Sequence, residues 1–262
     1  MPYATSPYPP GTPCWIDLMV PDQQAALDFY RDLFGWQGEV GPPETGGYAV
    51  CTLKDRPVAG IMATMAPDGA PTPPTAWTTY LATADADSAT DAITKHGGTV
   101  LSPGMDVMSL GRMAIAADPT GAVFGLWQAG EFLGAQVVNE PGSLVWSELA
   151  SGDLKAASAF YSGALGLETE PMEGASDYFS LTVNGRVVGG AQGLDNLPPE
   201  TPPHWLVYFC VDNTDSTVDA LVRAGGNVLA APFDMSAGRL AVVQDPQGAV
   251  FGLIDATGPE LP

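Results

Sequence analysis

Two tryptophan–carboxylate pairs are the residues of this sequence whose types and spacing could do chemistry. Asp17 follows Trp15 by two residues, and Glu148 follows Trp146 by two residues. In a β-strand, residues two apart point to the same face, so each face would present an indole beside a carboxylate. The indole offers a flat apolar surface to an aromatic ligand. A carboxylate in apolar surroundings has a raised pKa, which suits a general acid or base near neutral pH, so Asp17 and Glu148 are candidate catalytic residues.

These pairs belong to an internal repeat. The segment WIDL at 15–18 returns as WSEL at 146–149, an offset of 131 residues. The segment DPTGAVFGL at 118–126 returns as DPQGAVFGL at 245–253, an offset of 127, with eight of nine positions identical. Matches that keep one order while the offset drifts slowly indicate a duplicated domain with small loop deletions. The predicted domains are residues 1–133 and 134–262.

Each copy is predicted to contain two βαβββ modules. The first strand of each copy ends at an aspartate that suits a helix N-cap, Asp22 or Asp153. Apolar residues at helical spacing follow, and Gly35 and Gly166 suit the left-handed residue that closes a helix. The second half of each copy repeats the order strand, helix, Gly-Gly and DPxG hairpin. The chain is therefore expected to hold four modules of an α+β fold.

Composition and charge exclude several classes of function. The chain has 262 residues with 9 Lys and Arg against 30 Asp and Glu, a net charge of −21. This balance argues against nucleic acid and anionic membranes as partners, because phosphate binding needs clustered basic residues. No run of 18 apolar residues exists, so no membrane span is expected. Three dispersed cysteines and an N-terminus without a signal-peptide pattern predict a reduced, cytoplasmic protein.

The ordered set of motifs resembles the vicinal oxygen chelate superfamily, which includes glyoxalase I, extradiol dioxygenases and bleomycin-resistance proteins. The residues that carry the resemblance are Val20-Pro21-Asp22 at a strand end, the helix ends FYxxLFGW and FYxxALGL, and the two DPxG-AVFGL hairpins. The resemblance implies two tandem domains, each of paired βαβββ modules whose antiparallel-rich sheets form a cup. In the metal-dependent members the cup holds a divalent ion on four side chains, usually His and Glu.

The resemblance places residues that are poor metal ligands at those four positions. The first position falls on Trp15 and Trp146, and the third falls on Thr78 or Thr79 and on Leu206. The fourth falls on Gly125 and Gly252, and the second lies within 60–64 and 190–194, where Gln192 is the one side chain able to ligate well. A divalent-ion site needs several converging His, Cys or carboxylate groups. We therefore expect no metal and no other cofactor.

If Trp15 and Trp146 face the cup, strand alternation places other candidates beside them. The candidate ligand-binding residues are Trp15, Tyr80 and Trp127 in the first copy and Trp146, Gln192, His204 and Tyr208 in the second. Trp77 and Trp205 fall on the opposite face, in the core under the helices. Arg112 and Arg239 recur before the DPxG turns and are candidates for anion contacts at the mouth of the cup or for partners of Asp17 and Glu148. Two alternatives stay open: the tryptophans fill unused cups as core, or the carboxylates face solvent.

The function expected from this pattern is metal-independent binding of an aromatic or polycyclic small molecule, as in antibiotic resistance or aromatic polyketide tailoring. The alternative is a cofactor-free enzyme that uses Asp17 or Glu148 as general base for isomerisation, cyclisation, dehydration or hydrolysis. The lost ligands disfavour a metal-dependent lyase or dioxygenase. The expected partner is a small molecule, bound by a monomer or by a dimer of tandem chains.

Overall fold

The structure, a computed structural model, describes residues 4–65, 73–172 and 177–255. The first copy forms β1 (Pro13–Val20), α1 (Gln23–Phe34), β2 (Ala49–Leu53), β3 (Arg56–Ala63), β4 (Trp77–Ala82), α2 (Ala86–Lys95), β5 (Thr99–Val107), β6 (Gly111–Ala117) and β7 (Val123–Ala129). The second copy forms β8 (Leu144–Ser151), α3 (Leu154–Leu165), β9 (Glu168–Pro171), β10 (Tyr178–Val183), β11 (Arg186–Gly193), β12 (His204–Cys210), α4 (Thr214–Arg223), β13 (Asn227–Met235), β14 (Gly238–Gln244) and β15 (Val250–Asp255).

Each copy builds one mixed sheet from two modules. The strand order is β2-β3-β1-β4-β7-β6-β5 in the first sheet and β13-β14-β15-β12-β8-β11-β10-β9 in the second. The two modules of a sheet join through their first strands, because β1 pairs antiparallel with β4 and β8 pairs antiparallel with β12. The predicted α+β fold of two tandem domains is confirmed. The first module (β1 to β3 with α1) differs from the third module (β8 to β11 with α3) in one detail. The third module has the strand β9, and at the equivalent place the first module has a single β-bridge between Gln37 and Thr52.

The helices of the first and third modules begin and end at the predicted residues. The side chain of Asp22 accepts a hydrogen bond from the backbone of α1 at 3.0 Å, and Asp153 does the same for α3 at 2.9 Å. Gly35 and Gly166 follow these helices with φ of 77° and 67°, a backbone region that favours glycine. None of the four helices within the described ranges has the length or apolar composition needed to cross a membrane.

The helix-bearing faces of the two sheets pack on each other, so that each main core is shared between the copies. One core joins α1 and its strands to α4, β12, β14 and β15, and the other joins the second module to the third. The hydroxyl of Tyr30 donates to Asp245 of the other copy at 2.9 Å, with both side chains buried. Trp77 and Trp205 lie in these shared cores, as predicted. The opposite face of each sheet carries a smaller cluster of its own.

Candidate functional site

The first cup is the face of the first sheet opposite its helices, and a buried carboxylate lies at its centre. Asp17 on β1 is 6% exposed, and its Oδ2 accepts hydrogen bonds from the hydroxyls of Tyr80 at 2.9 Å and Tyr48 at 3.3 Å. The indole Nε1 of Trp15 donates in turn to the hydroxyl of Tyr48 at 2.8 Å. A continuous set of hydrogen bonds therefore runs from an indole through a phenol to the carboxylate, which a second phenol reaches from the other side.

Burial changes the acid–base properties of this cluster. Burial raises the pKa of Asp17 to about 6, although the hydroxyls of Tyr80, Tyr48 and Thr78 oppose the rise by hydrogen bonding to the charged form. Burial, followed by the negative charge of Asp17, raises the pKa of Tyr48 and Tyr80 well above the usual range. The two phenols are therefore held as donors, and Asp17 is the member of the cluster that exchanges a proton closest to neutral pH.

The second cup is the corresponding face of the second sheet, and it repeats this arrangement around Glu148. Oε2 of Glu148 accepts from the hydroxyl of Tyr178 at 2.7 Å, and Oε1 accepts from Gln192 Nε2 at 2.7 Å and from the hydroxyl of Tyr208 at 3.0 Å. The indole Nε1 of Trp146 donates to the hydroxyl of Tyr178 at 2.9 Å. Glu148 is 5% exposed. The predicted candidates Trp146, Gln192 and Tyr208 are thus brought together with Glu148.

Each tyrosine ring fits because the neighbouring strand carries glycine. Gly60 lies opposite Asp17 in the register of β1 with β3, and a Cβ built on it would come within 3.0 Å of the Tyr48 hydroxyl, closer than real Cβ atoms come. A Cβ on Gly125 would overlap the ring of Tyr80 in the same way.

The second cup repeats both contacts, at Gly190 with Tyr178 and at Gly252 with Tyr208. The tyrosines therefore occupy space that larger residues at these glycines would fill.

The cups do not fit the divalent ion that the resemblance implies. In the first cup the facing positions of β1, β3, β4 and β7 hold Asp17, Gly60, Thr78 with Tyr80, and Gly125. Across the described ranges, no group of three or more His, Cys, Asp or Glu side chains comes together in a way that could hold a metal ion. One carboxylate already bonded to phenols lacks the set of ligands that a divalent cation needs.

The segment that connects the two sheets closes the first cup. The ring of Phe132 packs edge-on against Trp15 at a centroid distance of 4.8 Å and against Trp127 at 5.9 Å. Trp127 Nε1 donates to the backbone oxygen of Phe132 at 2.9 Å. Trp15 and Trp127 are left 4% and 7% exposed. The predicted boundary between residues 133 and 134 falls in this segment, which separates β7 from β8.

The second cup is more open. Trp146 is partly exposed, whereas its counterpart Trp15 is 4% exposed; Tyr48 and Tyr178, one in each cup, are both partly exposed. The apolar side of the cup continues through Ile254 and Leu240 to Phe233, because these residues pair in register and so share one face of the sheet. Phe233 is 43% exposed. The second cup therefore presents an accessible aromatic and apolar wall beside a buried carboxylate.

The two arginines do not approach the carboxylates. Arg112 pairs with Asp87 and Asp106, and Arg239 pairs with Asp215 and Asp234. The hypothesis that they are partners of Asp17 and Glu148 is wrong, because the alternation of side chains along a strand places an arginine on the face opposite the cup. Met113 lies opposite Trp127 in the sheet, so Arg112, one residue earlier, points to the face that bears the helices. A role of these arginines in contacting a ligand stays a prediction.

His204, the remaining candidate, opens β12 at the edge of the second cup. Its Nδ1 lies 2.8 Å from the backbone oxygen of Pro202. Its side chain is partly exposed, and no hydrogen bond links it to Glu148 in the part of the chain that the structure describes. A ligand contact of His204 stays a prediction.

Three residues of the cups were not predicted. Tyr48 and Tyr178 complete the two clusters, and the repeat holds a signal for them, because YAVCTL at 48–53 and YFSLTV at 178–183 both begin with tyrosine at an offset of 130. That offset lies between the other two offsets, so the residues are counterparts. Phe132 lies outside the repeated segments, and the sequence gives no comparable signal for its packing on Trp15.

Comparison with known proteins agrees with this architecture. The family model described as "Glyoxalase/Bleomycin resistance protein/Dioxygenase superfamily" matches residues 14–126 and again 143–253. The chain is 43% identical to "Putative glyoxylase CFP32" of Mycobacterium tuberculosis over 254 residues, which cover 95% of this chain and 96% of that protein. It is 38% identical to "Anthracycline biosynthesis protein DnrV" of Streptomyces peucetius over 261 residues, with 95% and 94% covered.

Solved structures show the same fold at low sequence identity. The Mn(II)-bound glyoxalase from Novosphingobium aromaticivorans superposes with a TM-score of 0.63 at 16% identity, covering 96% of this chain and 86% of that one. The 2,3-dioxygenase LapB from Pseudomonas sp. KL28 superposes with a TM-score of 0.60 at 15% identity, covering 97% and 93%. The double family match and the full-length relatives show that this chain belongs to the glyoxalase/bleomycin resistance protein/dioxygenase superfamily, as a tandem two-domain member.

Proposed function

We propose that this protein binds an aromatic or polycyclic small molecule in its second cup, without a metal ion. The observation that carries the proposal is the contrast between two equivalent tryptophans. Trp146 is partly exposed beside Glu148, whereas Trp15 is sealed under Phe132. A cup that keeps its aromatic wall accessible can receive a ligand, and a cup filled by its own chain cannot do so without rearrangement.

The chemistry of the second cup supports a planar ligand with polar substituents. Aromatic walls give affinity through apolar burial and ring stacking, and a few placed polar groups fix orientation. Trp146 and the apolar wall at Leu240 and Phe233 supply the surface for burial and stacking. Glu148 and Gln192 supply the polar groups that orient the ligand. Such a ligand would lie with its substituents toward Glu148 and its rings toward the apolar wall.

The relatives support the class of molecule and its setting. Two proteins named for anthracycline biosynthesis, from Streptomyces peucetius and Streptomyces sp. strain C5, are 38% and 37% identical to this chain over nearly their whole length. Anthracyclines are aromatic polyketides, and a compound of that planar type suits the second cup. The proposed location is the cytoplasm, which the buried thiols of Cys14 and Cys51 support, since neither forms a disulfide.

The proposal that no metal takes part rests on how the tyrosines are seated. Tyr178 and Tyr208 occupy the space over Gly190 and Gly252 and donate to the same carboxylate. A metal ion at this position would have to displace both donors and would gain Glu148 as its one strong ligand.

A cofactor-free enzyme is the second candidate, and the acid–base behaviour of Asp17 favours it. With its pKa raised to about 6 by burial, Asp17 is poised to take or give a proton near neutral pH. The reaction class would be isomerisation, cyclisation, dehydration or hydrolysis. Phe132 would have to move before a substrate could reach Asp17.

Titration with 1,4-dihydroxyanthraquinone as planar probe, in buffer containing EDTA, tests the proposed function. We expect saturable quenching of tryptophan fluorescence, and we expect Trp146→Ala to weaken binding by about fivefold or more, as for loss of a stacked aromatic contact. Trp15→Ala is the matched control and should change affinity less. Binding that requires added metal, or equal effects of the two variants, would contradict the proposal.

Incubation followed by recovery of the probe separates the two candidates. A binding protein returns the probe unchanged. An enzyme converts the probe, and Asp17→Asn or Glu148→Gln should then lower turnover by about 10²-fold or more while binding persists.

A further inference from the structure

We infer that the second cup selects aromatic ligands that carry an organic ammonium group. The inference rests on the proposed function and adds the charge of the ligand to it. It follows from the hydrogen bonds of Glu148, from the position of the cations of the chain, and from the aromatic groups around this carboxylate.

The hydrogen bonds of Glu148 come from neutral groups. The hydroxyl of Tyr178 accepts from Trp146, so its own hydrogen points to Glu148. The amide of Gln192 and the hydroxyl of Tyr208 donate to the other oxygen. A carboxyl group that accepts at both oxygens has the hydrogen-bonding pattern of the ionised form.

Among the residues that the structure describes, no cation is paired with this carboxylate. The ion pairs found within the described ranges use cations elsewhere on the molecule, namely Arg31, Lys54, Arg112 and Arg239, and none of them includes Glu148. At 5% exposure, the carboxylate is largely removed from water. An unpaired buried charge costs free energy, and a cation brought by the ligand would offset that cost.

The surroundings of Glu148 suit an ammonium group in particular. Trp146 lies two residues before Glu148 on the same face of β8, and it keeps part of its surface accessible. A cation over an indole or phenol face gains a further attraction, and Tyr178 and Tyr208 add phenol groups at the same carboxylate. The net charge of −21 also concentrates cations near the protein and repels anions.

Three probes with one ring system test the inference: 9-anthracenylmethylammonium, 9-anthracenemethanol and 9-anthracenecarboxylate. Calorimetric titration near neutral pH should show the ammonium compound binding the wild-type chain about tenfold or more tightly than the alcohol, and the carboxylate binding most weakly. Glu148→Gln should remove the preference for the ammonium compound over the alcohol, since the variant keeps the shape of the side chain but lacks its negative charge.

Asp91→Asn is the matched control, because it changes the net charge by the same amount at an exposed position of α2. It should keep the preference. A preference that survives in Glu148→Gln and disappears at high salt would come from the overall field of the protein, and it would overturn the inference.

The outcomes also separate the inference from the function on which it rests. Equal affinity of the wild-type chain for the ammonium compound and the alcohol would overturn the inference and leave aromatic binding standing. Absence of saturable binding for all three probes would overturn both. The comparison of probes on the wild-type chain does not depend on whether the variant folds.

Discussion

The hydroxyl of Tyr80 donates to Asp17 at 2.9 Å, while the ring of the same tyrosine lies against Gly125 on the neighbouring strand. One residue therefore satisfies the buried carboxylate and fills the space left by a glycine. Because the two roles belong to one side chain, the glycine and the carboxylate are coupled through Tyr80, and the coupling can be measured.

Gly125→Ala should lower the free energy of unfolding by about 1–3 kcal/mol, since the new methyl group overlaps the ring of Tyr80. Urea titration measures the change. Gly152→Ala is the matched control, because the nearest atom to a Cβ there lies 3.7 Å away. Combining Gly125→Ala with Tyr80→Ala should cost less than the sum of the two single changes. Additive costs would show that the glycine and the tyrosine are not coupled.

The stability of the chain should depend on pH through Asp17. Its pKa rises from the ordinary value of 3.8 to about 6 on folding, because of burial. Between these values the folded chain binds the additional proton, so the contribution of Asp17 to the free energy of unfolding falls as pH rises from about 4 to 6 and is constant above that range. Asp17→Asn lacks this contribution. The difference in free energy of unfolding, wild type minus variant, should therefore fall by up to about 3 kcal/mol across that window.

Denaturant titrations of both proteins at a series of pH values measure this difference. A difference that stays flat, or that grows with rising pH, would show that Asp17 is not held by the fold as a group of raised pKa.

Phe132→Ala should open the first cup. Two edge-on ring contacts are lost, at a cost of about 1–3 kcal/mol in the free energy of unfolding. Acrylamide should then quench tryptophan fluorescence more strongly, and the additional quenching should disappear when Trp15→Phe is combined with it. If the second cup alone binds in the wild-type chain, the number of bound anthraquinone probes per chain should rise from one to two. Unchanged quenching would mean that Phe132 does not protect Trp15.

The fragments 1–133 and 134–262 should not fold as independent monomers. Each shared core draws residues from both copies, so a separated copy would expose the helix-bearing face that the other copy covers. Co-expressed fragments should associate and unfold as one cooperative unit in calorimetry. A monomeric single fragment with a cooperative transition close to that of the whole chain would contradict this expectation.

The parts of the fold that depend on local sequence were predictable. The caps at Asp22 and Gly35 are set by neighbouring residues, and the duplication revealed the two-domain order. Strand alternation also predicted that Tyr80 shares a face with Asp17. Alternation along one strand shows which of its own residues share a face. It does not show which residues of neighbouring strands lie beside them, so Tyr48 was not predicted. The position of Arg112 was wrong for the related reason that a single residue of register exchanges the two faces of a strand.

The cross-paired cores have a consequence for how the two copies can diverge. A change at Tyr30 or Asp245 on the helix-bearing faces affects both copies, because Tyr30 of the first copy donates a hydrogen bond to Asp245 of the second. The hydrogen bonds of Asp17 and of Glu148 to their tyrosines, in contrast, stay within one copy each. Duplication therefore leaves the buried interior under joint constraint and gives each cup separate freedom, so that one can become a scaffold element sealed by Phe132 while the other specialises for a ligand.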